Sequence, residues 1–160
     1  MRTTTIISDT SSLIILTKLE RLALLEYLFE KVFIPKRVEQ ELATKEDDIH
    51  QTIINNPLFE IVKCKDTELL KLLDDVLDYG ESEALALAKE MQLILLIDEK
   101  KGRKTAKNMG IKIIGFLGVL LLNYRHGKIS KDEIEDILHQ TNNLDFRLSE
   151  KLKRDFFEKL

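Results

Sequence analysis

The stretch that decides the fold lies near the start of the chain and reads Ile6-Ile7-Ser8-Asp9-Thr10-Ser11-Ser12. Its two isoleucines are typical of a buried strand, and the carboxylate of Asp9 follows almost directly. The hydroxyl residues then lead into an apolar helical stretch, residues 13–19, whose start they can cap. Open α/β sheets bind ligands at the carboxyl ends of their strands. The stretch therefore predicts a strand, a functional sheet edge and a helix.

A second apolar run ends in the same way, because Leu93-Ile94-Leu95-Leu96-Ile97 stops on Asp98. If both strands belong to one parallel sheet, Asp9 and Asp98 lie at the same edge and can converge. Two carboxylates held together repel each other unless a cation lies between them, and Mg²⁺ is a hard cation that binds such oxygens. Taken singly, each aspartate could equally be a helix N-cap.

The rest of the chain alternates short apolar strands with helical patterns, which predicts a parallel sheet covered on both faces. We predict strands over residues 3–8, 32–34, 59–62, 93–97 and 111–114. We predict helices over 11–19, 21–29, 36–44, 48–55, 66–77, 81–91, 99–109 and 116–125, and two more that begin near 130 and 149. Gly80 is expected to break the chain between two helices, and Gly110 to end another.

Composition indicates one globular domain over residues 1–160, with 44% hydrophobic and 33% charged residues. No apolar run approaches the roughly 20 residues of a membrane span. The start of the chain lacks the pattern of a signal peptide, so we expect a cytoplasmic protein. The single cysteine excludes an internal disulfide and a cysteine zinc cage. The net charge of −3 argues against a general polyanion binder, so nucleic-acid binding would need a local basic face.

Acidic residues also occur beside predicted core faces of two helices. Glu41 lies three residues after Val38, beside the face that Val38 shares with Leu42. Glu81 and Glu83 lie in the first turn of an alanine- and leucine-rich helix, where interaction with the helix dipole explains an acid about as well as function does. As a set with the two strand-end aspartates, these acids predict an acidic site.

These segments follow one another in the order seen in PIN domains. They are Ile7-Ser8-Asp9-Thr10-Ser11, Ile34-Pro35 through Glu41-Leu42, Gly80-Glu81-Ser82-Glu83-Ala84 and Leu96-Ile97-Asp98-Glu99. The chain resembles the branch related to toxin nucleases (VapC-like) of toxin–antitoxin pairs, over residues 3–125. Residues 145–149 resemble an extension found in one subgroup. The resemblance implies a three-layer α/β/α sandwich with a central parallel sheet of four to five strands, followed by a helical extension at about 129–160.

The resemblance also implies a function, an endoribonuclease that uses Mg²⁺ or Mn²⁺. The carboxylates that it assigns to the metal and to catalysis are those of Asp9, Glu41, Glu83 and Asp98. Ser11 matches the small hydroxyl residue beside the first aspartate. Thr10, Ser11 and Ser12 offer hydroxyls and helix N-terminal amides that could orient Asp9 or a metal-bound water, although helix capping explains these hydroxyls equally well. The implied partners are RNA, a small antitoxin protein and a second copy of the chain, with no membrane.

A basic face directly follows Asp98. Its members recur at helical spacing and suit contact with RNA phosphates: Lys100, Arg103, Lys104 and Lys107. The competing interpretation is a solvated face in which Glu99 pairs with Arg103. The apolar segment 116–122 predicts core or a dimer interface. His50, His126 and His139 show no ligand spacing and are expected at the surface.

Two other functions are alternatives to the ribonuclease. A non-catalytic PIN-like module could bind RNA or a protein without cleaving it, and metal-dependent cleavage assays would distinguish it. A phosphatase of the haloacid-dehalogenase type also begins with an aspartate after a strand. That chemistry needs a second acid two residues later, where this chain has Ser11.

Overall fold

A computed structural model describes residues 4–160 and contains one five-stranded sheet. The strands are β1 (Thr4–Ser8), β2 (Phe29–Pro35), β3 (Phe59–Val62), β4 (Ile94–Leu96) and β5 (Ile113–Ile114). They are all parallel, in the order β3-β2-β1-β4-β5. The predicted start of the first strand at Thr3 lies outside the described residues. The strand pattern read from the sequence is otherwise confirmed, with β2 longer and β4 and β5 shorter than expected.

Ten helices occur in residues 4–160 and connect or cover these strands. The first five are α1 (Thr10–Lys18), α2 (Ala23–Glu26), α3 (Lys36–Lys45), α4 (Asp47–Ile54) and α5 (Thr67–Asp74). The others are α6 (Tyr79–Met91), α7 (Lys100–Asn108), α8 (Phe116–Arg125), α9 (Lys131–Thr141) and α10 (Glu150–Glu158). The described helices are too short or too polar to span a membrane.

Alternation along β1 places apolar side chains on both faces of the sheet. Ile6 packs in a core with residues of α1, α8 and α9, whereas Ile7 packs in a second core with residues of α6 and α7. Phe156 of α10 and Ile134 of α9 belong to the first core, so the C-terminal helices share it with the sheet. The molecule is therefore a three-layer α/β/α sandwich, as the sequence predicted.

Three helices differ from the sequence prediction by more than one residue at an end. The helix expected over 21–29 is only Ala23–Glu26, because Phe29 pairs with Thr4 and already belongs to β2. The helix expected over 66–77 ends at Asp74. Gly80 does not break the chain. It lies inside α6, where a Cβ atom would collide with the carboxylate of Glu41, so its small size permits a close approach between helices.

Of the other local predictions, several are confirmed and one is wrong. The capping box of Ser130 and Glu133 is present, and Gly110 has the positive φ of +76° expected after a helix. The segment around Phe116 lies in the core, with Phe116 only 1% exposed. The expected surface position of His50 is wrong, because its side chain is 12% exposed and its Nε2 lies 2.6 Å from Oε2 of Glu39.

Candidate active site

Asp9 lies buried at the carboxyl end of the central strand β1. Its backbone N–H donates to the carbonyl of Leu96 in β4, at 3.0 Å, and so continues the sheet by one residue. Its Oδ1 accepts the backbone N–H of Ser12, at 3.0 Å, which makes Asp9 the N-cap of α1. The expectation that hydroxyl side chains cap this helix is therefore wrong. Ser11 is exposed, and it is Ser12 that contacts the aspartate.

Asp98 lies one residue beyond the buried Ile97, at the same edge of the sheet. Both of its oxygens accept the backbone N–H of Phe116, at 3.0 and 3.2 Å, and Oδ2 also accepts the hydroxyl of Ser12, at 3.2 Å. Asp98 is not the N-cap of α7, because Glu99 caps that helix by accepting the amides of Lys101 and Gly102. Asp98 is instead held at the start of α8.

Ser12 therefore brings the two aspartates together, and their surroundings disfavour negative charge. Burial raises the pKa of Asp9 to about 7, with a further contribution from the charge of Asp98, against the opposing effect of the hydrogen bonds from Ser12. Burial also raises the pKa of Asp98, although the amide of Phe116, the hydroxyl of Ser12 and the nearby charge of Arg103 partly offset it. A cation between the carboxylates would reverse this penalty.

Glu41 of α3 approaches the aspartates through Thr10. The hydroxyl of Thr10, the residue after Asp9, donates to Oε2 of Glu41 at 3.1 Å. The other side of the Glu41 carboxylate lies against Gly80, at the start of α6. The Thr10 hydroxyl thus binds a carboxylate of another helix, and the capping role that the sequence left open for it is filled by Asp9.

Glu83 of α6 lies at the carboxyl ends of β2 and β3, the strands on one side of β1, and its contacts differ from those of the other acids. It is 2% exposed, and its two oxygens accept backbone amides from two other parts of the chain. Oε1 accepts from Arg37, in the first turn of α3, at 2.8 Å, and Oε2 accepts from Cys64, after β3, at 3.1 Å. Both oxygens accept hydrogen bonds from the protein, and these bonds join α6 to the ends of β2 and β3.

Glu81 is the acid of α6 that faces other carboxylates. A Cβ atom built on Gly102 would lie 3.1 Å from Oε2 of Glu81 and 3.3 Å from Oε2 of Glu99, so both glutamates crowd the same glycine. The pKa of Glu81 is raised to about 9, chiefly by burial and also by its hydrogen bonds with Glu99 and Asp78 and by the charges of these two carboxylates. For Glu99, burial also acts to raise the pKa, but the amides of Gly102 and Lys101 and the hydrogen bond with Glu81 outweigh it and the pKa is lowered.

Helix geometry explains why the sequence did not separate the two glutamates. Residues two apart on an α-helix point about 200° apart, so the two glutamates have different neighbours. Glu83 faces the ends of β2 and β3, whereas Glu81 faces Glu99 and Asp78. The usable signal was Asp78, which caps α6 by accepting the amide of Glu81, at 3.1 Å. That cap places Glu81 in the third helical position and fixes the rotation of the helix.

Arg103 differs from its lysine neighbours on α7. Its Nη1 donates to the carbonyl of Ile97, at 2.8 Å, and its guanidinium lies close to Gly115 beside Asp98. The proposed ion pair between Glu99 and Arg103 does not form among the described residues. Lys100, Lys104 and Lys107 are exposed.

The lysines line an open groove of about 1060 Å³ that begins at Asp98. Ser11 also lines it. The groove is bounded by α7, by β5 with the start of α8, and by residues 145–159, which we call the C-terminal segment. A surface that can hold a chain of phosphates therefore adjoins the carboxylates.

The fit of these residues to a divalent cation depends on the chemistry of the donor atoms. Within residues 4–160, no three carboxylate, imidazole or thiol groups are arranged so as to enclose a metal ion. The pair of Asp9 and Asp98 nevertheless offers only carboxylate oxygens, which Mg²⁺ and Mn²⁺ prefer, and burial raises the pKa of both groups by disfavouring their unneutralised charge. These residues fit such an ion.

A family model described as "PIN domain" matches residues 5–160, which is nearly the whole chain and includes the C-terminal segment. The chain therefore belongs to the PIN domain family, whose members are typically nucleases. No significant match is found among curated proteins.

Proposed function

We propose that this protein is a Mg²⁺- or Mn²⁺-dependent endoribonuclease that hydrolyses RNA phosphodiester bonds. The observation that carries the proposal is the buried pair Asp9 and Asp98, joined through Ser12 at the carboxyl edge of the sheet. Burial of both carboxylates destabilises the ionised pair, and such arrangements concentrate at functional sites. Membership of the PIN domain family supports the same chemistry.

We assign Asp9 and Asp98 to the ion, and we propose Glu41 and Glu81 as the further acids that would complete its ligands on binding, since no three such groups among the described residues already surround an ion. Glu81 takes the role that the sequence assigned to Glu83, because the oxygens of Glu83 are held by backbone amides. Glu81 has the opposite surroundings, since its nearest polar neighbours include other carboxylates. A divalent ion at this edge would therefore remove more electrostatic repulsion from Glu81 than from Glu83.

A bound divalent ion would supply an activated water and neutralise the charge on the departing 3′ oxygen. The residues of this chain hold the ligands in place. Ser12 orients both aspartates, since its amide binds Asp9 and its hydroxyl binds Asp98. The amide of Phe116 fixes the carboxylate of Asp98, and the hydroxyl of Thr10 fixes that of Glu41. Such outer contacts set the geometry and affinity of metal sites.

The exposed lysines of α7 would bind the RNA backbone. Lys100, Lys104 and Lys107 line the groove that starts at Asp98, so phosphates bound there would lead a strand to the carboxylates. Arg103, which the sequence grouped with them, is tied to the carbonyl of Ile97. We assign it to positioning the strand end near Asp98 rather than to binding phosphates in the groove.

The cellular part of the proposal is a toxin of a toxin–antitoxin pair, acting in the cytoplasm as a homodimer and neutralised by a small antitoxin protein. Its support is the resemblance to toxin nucleases described above. Expression of the wild-type chain should arrest growth, and co-expression of a short neighbouring reading frame should relieve the arrest. Light scattering should give the mass of a dimer at micromolar concentration, and a monomer would contradict that part.

Cleavage of a panel of RNAs tests the enzymatic proposal. Wild-type protein should cleave with Mn²⁺ or Mg²⁺, should lose activity with a chelator, and should recover it when the ion is restored. Protein that binds the RNAs without cleaving them under any of these conditions would support the non-catalytic PIN-like module instead.

A further inference from the structure

The C-terminal segment forms part of the groove that leads to the carboxylates. Arg147, Leu152 and Lys159 line it together with the lysines of α7. The segment is anchored close to the site, because the ring of Phe146 packs edge-on against that of Phe116, with centroids 5.1 Å apart. Phe116 is the same residue whose backbone amide binds Asp98.

The charge of the groove differs in sign from that of the whole protein. Six basic and four acidic side chains line it, although the chain carries a net charge of −3. Two of those acids, Asp98 and Glu99, belong to the carboxylate cluster. Arg147 and Lys159 are exposed, so their charges are free to meet a polyanion.

Apolar side chains line the same groove as the charged ones. They come from β5, α8 and the C-terminal segment, and Leu152 is 52% exposed although it is a large hydrophobic residue. Unpaired bases bury apolar surface when they bind, whereas a phosphate backbone needs only the cations. A groove with both features matches a strand of RNA that contacts protein through its phosphates and its bases.

We infer that the C-terminal segment forms one wall of the substrate-binding groove. In it, Arg147 and Lys159 bind phosphates of an RNA strand, and neighbouring phosphates of the same strand contact Lys104 and Lys107. The inference rests on the proposed ribonuclease function. It assigns to residues 145–159 a role in binding RNA that is separate from holding the ion.

The test compares two double variants of this segment. Arg147→Ala with Lys159→Ala removes two charges that line the groove. Lys151→Ala with Arg154→Ala removes two exposed charges of α10 that do not line it, and serves as the matched control. Each is combined with Asp98→Asn for binding measurements on a fluorescein-labelled single-stranded RNA of mixed sequence, and each is also assayed for cleavage with Asp98 intact.

The groove variant should bind RNA at least several-fold more weakly than the control. The slope of log affinity against log salt should become shallower by about 0.7 for each phosphate that the variant no longer neutralises. In cleavage, its KM should rise while kcat stays near the wild-type value. Thermal unfolding should be alike in the two variants, since all four side chains are exposed.

Equal affinity and equal salt dependence in the two variants would overturn the inference while leaving an active nuclease in place, and the groove would then suit a protein partner. A wild-type chain that neither binds nor cleaves RNA would overturn the proposed function, and the inference with it.

Discussion

Glu81 and Glu83 lie two residues apart in the same helix, and their carboxylates have opposite kinds of neighbours. Both oxygens of Glu83 accept backbone amides, so its charge is satisfied by the folded chain itself. Glu81 shares its surroundings with Glu99 and Asp78, and its pKa is raised to about 9. A carboxylate that accepts amide hydrogen bonds stabilises the fold, whereas one that is crowded by other carboxylates is suited to binding a cation. Asp9 and Asp98 share features of both, because each accepts an amide yet has a raised pKa.

The largest expected effect comes from Asp98→Asn. Asparagine keeps the shape of the side chain and one acceptor for the amide of Phe116, but it removes the negative charge. RNA cleavage should fall by orders of magnitude, while the free energy of unfolding of the chelated protein should hold or rise, because repulsion with Asp9 is relieved. Cleavage assays and thermal unfolding with a chelator measure the two quantities. Wild-type activity in this variant would refute the nuclease proposal.

The comparison of the two glutamates is tested by Glu81→Gln and Glu83→Gln. Glu81→Gln should reduce cleavage strongly and leave stability unchanged or higher, since a like charge is removed. Glu83→Gln should do the reverse, because a glutamine amide group would face the N–H of Arg37 or of Cys64 and leave one donor unpaired. We expect a loss of about 1–3 kcal/mol in unfolding free energy and near-normal activity of the folded protein.

Each glutamate variant is the control for the other, since both remove one charge from the same helix. Denaturant unfolding and metal-dependent cleavage are measured on both proteins. If Glu83→Gln is the inactive and stable variant, the assignment of Glu81 to the ion is wrong and the original sequence assignment stands.

A smaller effect is expected from Gly115→Ala. The backbone at Gly115 is extended and tolerates any residue, but a Cβ atom there would lie 2.7 Å from Nη1 of Arg103 and 2.8 Å from Oδ1 of Asp98. The carboxylate must shift, so cleavage should fall several-fold with little change in fold content by circular dichroism. Gly127→Ala, a glycine with open space around it but a positive φ, should lower stability and leave activity alone.

The sheet could be predicted from sequence because its information is local. Each strand is a short apolar run, and the alternation of Ile6 and Ile7 between two cores follows from strand geometry alone. The convergence of Asp9 and Asp98 also followed, since parallel strand ends share an edge. The rotation of α6 about its axis could not be predicted in this way, because it is not determined by local sequence. It depends on which residue caps the helix and on amides from Arg37 and Cys64, which come from distant parts of the chain.

The start of the second strand shows the same limit. The pattern around Phe29 reads equally well as the last turn of a helix, because its spacing from Leu22 and Leu25 is helical. Pairing with β1 decides the matter in favour of a strand. Likewise, the role of Ser12 in joining two aspartates depends on a partner 86 residues away, and no spacing rule identifies it.

The smallest expected effect is on the pH dependence of stability, and it tests the surroundings of the aspartate pair. The folded pKa of Asp9 is about 7 and its ordinary value is 3.8, so folding favours the protonated form. That contribution is fully present below about pH 4 and is lost as the pH rises through 7. Chelated wild-type protein should therefore lose stability between about pH 4 and 7, by a few degrees in Tm. Asp9→Asn should lose less stability over this range. Saturating Mg²⁺ should flatten the wild-type profile, because a bound cation replaces the proton in neutralising the pair.

Identical slopes in wild type and Asp9→Asn would show that ionising Asp9 does not destabilise the folded protein. The electrostatic argument for a cation between the two aspartates would then fail.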